Sequence, residues 1–275
     1  MTTMTEPGSN MILGIIAGGG VFPFTVADNA KAAGVRVIGA GFLSDTDPAF
    51  PARCDDFLWL KLGQLGRLID FFQKKGVTHV VMAGPVNKPR ALDLRPDWRA
   101  ARLLLALKTR GDDALLRAVG AELEKEGMRL MAPHVFSPEL HAPQGILSCR
   151  PPDERELRDI EFGWDMAERL GDMDIGQCLV VRDGVVLAVE AIEGTNAAIR
   201  RGGELGGPGA VVVKRPKRGQ DRRLDLPAVG LETVRAMAEV KASCLACEAG
   251  QTLFFDRIGA LALADEHSMA IVGRI

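Results

Sequence analysis

The chain has no tyrosine among its 275 residues, and aromatic residues make up 5% of it. That scarcity argues against stacking platforms for single-stranded nucleic acid. The net charge of -2 likewise gives no general attraction to nucleic acid. Uninterrupted apolar runs fall well short of the roughly 20 residues that cross a bilayer. The five cysteines, at 54, 149, 178, 244 and 247, are an odd and scattered set, and no secretory leader precedes them. Reduced thiols in a cytosol are therefore the expectation. The four histidines, at 79, 134, 141 and 267, show no zinc spacing. No Gly-x-Ser-x-Gly elbow of a serine hydrolase occurs.

What is present is an ordinary globular composition, 47% hydrophobic and 25% charged. Residues 1–10 read as a loose polar tail. Met11 to Ala17 is an apolar strand, followed by Gly18-Gly19-Gly20 and a helix around Pro23 to Ala33. Val35 to Ala40 is a second strand, and Val77 to Ala83 follows the amphipathic helix Leu65 to Lys75. Trp98 to Leu107 and Asp112 to Glu126 read as helices, and Met128 to Met131 as a short strand. Strands alternating with helices predict a mostly parallel sheet with helices on both faces. The Pro-rich segment Ser148 to Asp153 reads as a linker, dividing an α/β domain over 11–150 from an α+β domain over 151–275. In the latter, Arg155 to Leu170 is helical, and Arg182-Asp183-Gly184 turns a hairpin between Gln177 to Val181 and Val185 to Glu190. Ala210 to Val213 is a strand and Leu226 to Ala242 a helix. Ser243 to Cys247, Thr252 to Phe255 and Met269 to Val272 are short apolar pieces.

Several segments carry chemistry. The glycines after the first strand permit close backbone approach, and Gly18, Gly19 and Gly20 are equally a phosphate contact or a tight turn. The loop Ala83 to Arg90, with Asn87, Lys88 and Arg90, follows another strand and is equally a ligand loop at the same sheet edge or a solvated loop. His79 lies in a hydrophobic strand and reads as structural, as do the thiols of Cys244 and Cys247. Residues 214–225 gather six basic and two acidic side chains, in a chain of slightly negative net charge. The basic side chains, Lys214, Arg222 and Arg223 among them, suit a phosphate or diphosphate more than a merely solvated turn or a nucleic-acid contact, and the embedded Asp221 and Asp225 suggest a cation or a reaction. Glu190 and the short loop Glu193-Gly194-Thr195-Asn196 add oxygens, with Thr195 or Asn196 as a helix cap. Hard oxygens beside phosphate anchors suit magnesium-assisted attack at phosphorus. If helical, Asp221 and Asp225 would share a face.

Leu13 to Pro23, Met82 to Val86 and Gly219-Gln220-Asp221-Arg222-Arg223-Leu224-Asp225-Leu226-Pro227 resemble the signatures of the magnesium-dependent, two-domain UDP-2,3-diacylglucosamine pyrophosphatases of bacterial lipid A synthesis. The resemblance runs from about Met11 to Gly273. It implies a Rossmann-like amino-terminal domain, a distinct α+β carboxy-terminal domain and a lipid substrate held between them. It also implies hydrolysis to UMP and 2,3-diacylglucosamine 1-phosphate by water attacking the alpha phosphorus, and it places the family's essential aspartate on Asp225. Many relatives carry an acidic residue where this chain has Asn196, so no metal role is expected there.

The expected roles follow. Asp225, with Asp221 or Glu190, holds magnesium and orients the water; Lys214 and Arg222 or Arg223 neutralise phosphoryl charge. Substrate contacts are expected from Gly18, Gly19, Gly20, Asn87, Lys88, Thr195, Gln220 and Arg223. The partners expected are the lipid-linked UDP-sugar and, transiently, the cytoplasmic face of the inner membrane, with no nucleic acid; a homodimer is left open. The alternatives are a non-catalytic carrier of nucleotide-sugar lipids and a nucleotide-dependent oxidoreductase, the latter lacking the dinucleotide glycine spacing.

Overall fold

The computed structural model describes residues 11–86, 96–107, 112–173, 175–217, 221, 223, 224 and 226–275, without the side chains of Asp112 and Asp113. These residues fall into two units: one runs through Pro138 and includes Asp221, Arg223 and Leu224, and the other takes the remainder.

The first unit contains β1 (Ile12–Ala17), α1 (Phe22–Ala32), β2 (Arg36–Phe42), β3 (Asp56–Leu60), α2 (Leu65–Lys74), β4 (His79–Ala83), α3 (Trp98–Ala106), α4 (Asp112–Lys125) and β5 (Arg129–Leu130). Its strands form a parallel sheet in the order β3-β2-β1-β4-β5. Both faces are covered, as expected. Ile16, Ile38 and Val80 pack with Leu68, Ile69 and Phe72 of α2, Ala100 of α3 and Leu123 of α4. Val26, Ala27 and Ala30 of α1, all buried, cover the other face. Burial on both faces explains why β1 and β4 read as continuous apolar runs. β3, which the sequence pattern does not reveal, is a half-exposed edge strand beginning at Asp56.

The second unit contains β6 (Gly145–Ile146), α5 (Glu154–Asp172), β7 (Cys178–Arg182), β8 (Val185–Val189), α6 (Thr195–Gly206), β9 (Val211–Lys214), β10 (Ala228–Gly230), α7 (Leu231–Glu239), β11 (Cys244–Glu248), β12 (Leu253–Phe255), α8 (Arg257–Glu266) and β13 (Ala270–Arg274). Six strands form a mixed sheet in the order β6-β13-β11-β9-β7-β8, and β10 pairs with β12 separately. The chain changes unit at Pro138, ahead of the Ser148 to Asp153 segment, because β6 pairs antiparallel with β13. The Asp153 side chain caps α5 in a reciprocal box with Glu156. The hairpin turn at Asp183-Gly184 is pinned to α5, where the buried Asp159 accepts from both turn amides at 3.0 and 2.8 Å. The predicted helix from Leu226 splits into β10 and α7, and α8 was not foreseen.

Candidate active site

The first unit offers an open sheet edge. Strand order reverses between β1 and β4, and ligands of open α/β sheets bind outside the carboxyl ends of the strands at such a point. The loops there are Gly18-Gly19-Gly20 and Gly84-Pro85, and they are zipped together. The Gly18 amide donates to Ala83 O at 2.8 Å and the Gly19 amide to Pro85 O at 2.7 Å. A Cβ on Gly18 would sit 2.3 Å from Pro85 O, and one on Gly84 would sit 2.3 Å from Gly19 O. These glycines are required by loop-on-loop contact. The Gly18 and Gly19 amides are spent on carbonyls, which favours the tight turn over the phosphate contact at these two positions. Gly20, at φ +77° and with open space around it, stays exposed at this edge. Thr46, which the sequence reading missed, clasps the same edge: its hydroxyl donates to Ala17 O at 2.6 Å and accepts from the Phe42 amide at 2.8 Å. Asn87 and Lys88 lie outside the described residues.

The second unit brings three predicted residues together. Lys214 ends β9, in register with Cys178 of β7 on one side and Cys247 of β11 on the other. It is 5% exposed. Its ammonium donates to Thr195 Oγ1 at 2.6 Å, and Thr195 Oγ1 donates to Glu190 Oε1 at 2.7 Å. Burial pushes both flanking thiols up to about 12, with the nearby Lys214 charge acting in the opposite direction. They are inert neighbours. The cap expectation is corrected: Gly194, at φ +82°, is the N-cap of α6 without a side-chain hydrogen bond, and Thr195 is the first helical residue. Its hydroxyl turns to Glu190 and Lys214 instead.

The 221–225 segment is described in part; Gln220, Arg222 and Asp225 lie outside the described residues. Around Asp221 the chain makes a turn, not a helix. Leu224 N donates to Asp221 O at 2.9 Å and Arg223 N to Asp221 Oδ1 at 3.0 Å. The Arg223 guanidinium lies along the Asp221 carboxylate, with Nη2 to Oδ2 at 2.7 Å, and reaches Glu124 of α4 at 2.8 Å. The Arg223 hydrogen bonds hold the Asp221 carboxyl below its usual range. Leu224 is buried. A methyl on Gly120 of α4 would lie 3.7 Å from its Cδ2. Asp221 and Arg223 are thus engaged with each other and with α4, where the sequence suggested a metal ligand and a substrate contact. Arg215 is also committed: it bonds Glu248 at 2.9 Å and the Trp164 carbonyl at 3.0 Å, and lies 4.5 Å from the Trp164 ring centre. Strand alternation after Lys214 is the signal that sends it to the α5 face.

Among the described residues no three carboxylate, histidine or cysteine side chains gather to hold a metal. Both oxygens of Asp221 accept from Arg223, and among the described residues the buried Glu190 Oε2 has no hydrogen-bond partner.

Residues 12–140 match the family described as the LpxI N-terminal domain, and residues 143–272 match the LpxI C-terminal domain. The chain belongs to the LpxI family. A relative, the UDP-2,3-diacylglucosamine pyrophosphatase LpxI of Caulobacter vibrioides, is 35% identical over 277 aligned positions, covering 95% of this chain and 96% of the relative. The LpxI match thus extends over both units. Among solved structures, N5-carboxyaminoimidazole synthetase from Staphylococcus aureus complexed with ADP is 12% identical, covers 66% of this chain and 35% of its own, and has a TM-score of 0.31. The Kluyveromyces lactis urea carboxylase is 14% identical over 27% of this chain and 7% of its own, with a TM-score of 0.23. Likenesses this weak carry no argument about function.

Proposed function

We propose that this protein hydrolyses UDP-2,3-diacylglucosamine to UMP and 2,3-diacylglucosamine 1-phosphate, with water attacking the alpha phosphorus. The observation that carries this reading is the end-to-end relation to an enzyme of that name, at 35% identity over 95% of the chain. The buried Lys214 at the end of β9 supports it chemically. An ammonium in surroundings poor in water neutralises phosphoryl charge far better than one in bulk solvent. In this reading Lys214 faces the charge that grows on the phosphoryl oxygens as the anhydride breaks. Asp225 accepts a proton from, or orients, the attacking water.

Magnesium is proposed as the cofactor; when bound it polarises a phosphoryl oxygen as a Lewis acid. Its ligands are proposed to include Asp225. Asp221, tied to Arg223, serves in this account to shape the turn that carries Asp225. Among the described residues no helix is long and apolar enough to cross a membrane. A cytoplasmic enzyme that collects its lipid substrate at the inner-membrane surface is the proposed setting.

Hydrolysis in oxygen-18 water, with and without magnesium, tests the reading. Label in UMP is the expected result. Label in the lipid phosphate would reject attack at the alpha phosphorus, and absence of UMP would reject the activity in favour of a carrier.

A further inference from the structure

The contact Lys214–Thr195–Glu190 admits one arrangement of hydrogens. An ammonium only donates and a carboxylate only accepts. The Thr195 hydroxyl hydrogen therefore belongs to Glu190 Oε1, at 2.7 Å, and its lone pair to Lys214 Nζ, at 2.6 Å. While this chain of bonds holds, Thr195 has no hydrogen to give a substrate. Glu190 spends one oxygen on Thr195 and keeps the other buried. Lys214 has three donors and, among the described residues, uses one of them on Thr195. The ammonium is the end of the chain with capacity left for an anion.

Local structure fixes this geometry from two sides. Glu190 follows directly on β8, and its amide donates to Cys178 O at 2.8 Å, continuing the β7–β8 pairing. A Cβ on Gly176 would lie 2.0 Å from Glu190 O, so the chain before β7 is pressed onto the same residue. Thr195 opens α6 after Gly194 at φ +82°, a conformation that favours glycine. Lys214 is held between β7 and β11. A rigid hydroxyl accepting from a long, flexible side chain selects one of its rotamers.

We propose that Glu190 and Thr195 are positioning residues that aim the Lys214 ammonium at a phosphate oxygen of the nucleotide diphosphate, in place of a metal ligand and a direct substrate contact. The inference rests on the proposed hydrolysis for its substrate, and on the hydrogen-bond chain for its residue roles.

The test uses the full-length protein and UDP as the probe, with binding followed by calorimetry in EDTA. Thr195→Val keeps the shape and removes the hydroxyl; it should weaken UDP binding about 10-fold or more, the scale of a hydrogen bond to a charged group. Thr195→Ser should bind near wild type, because the hydroxyl is restored. Glu190→Ala frees the hydroxyl to rotate and should weaken binding as Thr195→Val does, which covers the case of a poorly folded valine variant. In turnover assays Glu190→Gln should leave the half-saturating magnesium concentration unchanged. Wild-type UDP affinity in both Thr195→Val and Glu190→Ala, no UDP binding by the wild type, or a shifted magnesium requirement in Glu190→Gln would each overturn the inference. If this binding pattern appears but no UMP forms from UDP-2,3-diacylglucosamine, the hydrolysis reading fails and the positioning role stands.

Discussion

Truncating Leu224 to alanine should undock the turn that precedes Asp225 while leaving the rest of the first unit folded. Two contacts of this turn with α4 can be weighed among the described residues, beside the Arg117 charge of α4 that acts on Asp221. One is the Arg223–Glu124 ion pair, whose side chains are 44% and 41% exposed. Pairs so open to solvent contribute about 0–1 kcal/mol. The other is the Leu224 side chain, 7% exposed and packed toward Gly120. Leu→Ala removes about three buried carbons at about 0.8 kcal/mol each, or roughly 2 kcal/mol. That is about 30-fold in the ratio of docked to undocked turn. Trypsin cleavage after Arg223, followed by mass spectrometry, should accelerate by a similar factor when opening is fast relative to cutting. Turnover of UDP-2,3-diacylglucosamine should fall in parallel. Glu124→Gln, which removes the weaker tether, should change both by much less. A Leu224→Ala protein cleaved and active like wild type, or a larger effect from Glu124→Gln, would refute the assignment of Leu224 as the principal anchor.

Four further outcomes are expected. Asp225→Asn should lower turnover by about 10²-fold or more, the range of a lost acid–base group, with an unchanged thermal melt; a folded variant of near-normal rate would remove Asp225 from the mechanism. Gly18→Ala pushes a methyl against backbone carbonyls at 2.3 and 2.4 Å and should destabilise by about 1–3 kcal/mol, read as a lower melting temperature. Gly20→Ala, with nothing in its way, should lose only about 1 kcal/mol from its left-handed backbone. Glu156 is buried, which alone would raise its carboxyl pKa, but hydrogen bonds from Arg150, Ser243 and the Asp153 amide hold it below the ordinary value. A depressed folded pKa stabilises above the unfolded value of about 4.3 and loses that stability as pH falls through the folded one. Denaturant midpoints should therefore drop on acidification in wild type, and less steeply in Glu156→Gln.

What the sequence made legible was whatever repeats locally. Both-faced burial made β1 and β4 continuous apolar runs, and a glycine after each pointed to the edge at which the strand order reverses. β3 escaped because an edge strand beginning at Asp56 has no such run. α8 escaped because Gly259 and its alternating alanines and leucines give no helical stripe. Lys214, Thr195 and Glu190 were each singled out, but not as partners. Their meeting depends on α6 opening beside the end of β9, which no spacing in the chain reports. The Asp221–Arg223–Glu124 contact is equally hidden, since Glu124 lies 99 residues from Arg223.

The basic stretch itself shows why a charge count is a weak guide to a binding site. Six cations within twelve positions suggest a broad positive surface, yet Lys214, Arg215 and Arg223 do separate jobs. Arg215 sits under Glu248 and Glu168 against Trp164, where its charge is matched and its plane stacked. Arg223 is matched by Asp221 and Glu124. Either would have to give up a carboxylate partner to turn to a phosphate, and for the part-buried Glu248 that exchange costs more than a surface contact returns. Lys214 differs because its partner is a hydroxyl. A neutral acceptor orients the ammonium without cancelling its charge, and Glu190, one bond further on, orients the hydroxyl. Among Lys214, Arg215 and Arg223, the buried lysine at the end of β9 is therefore the cation best prepared to meet a diphosphate, and the two arginines are better understood as fastenings of the chain.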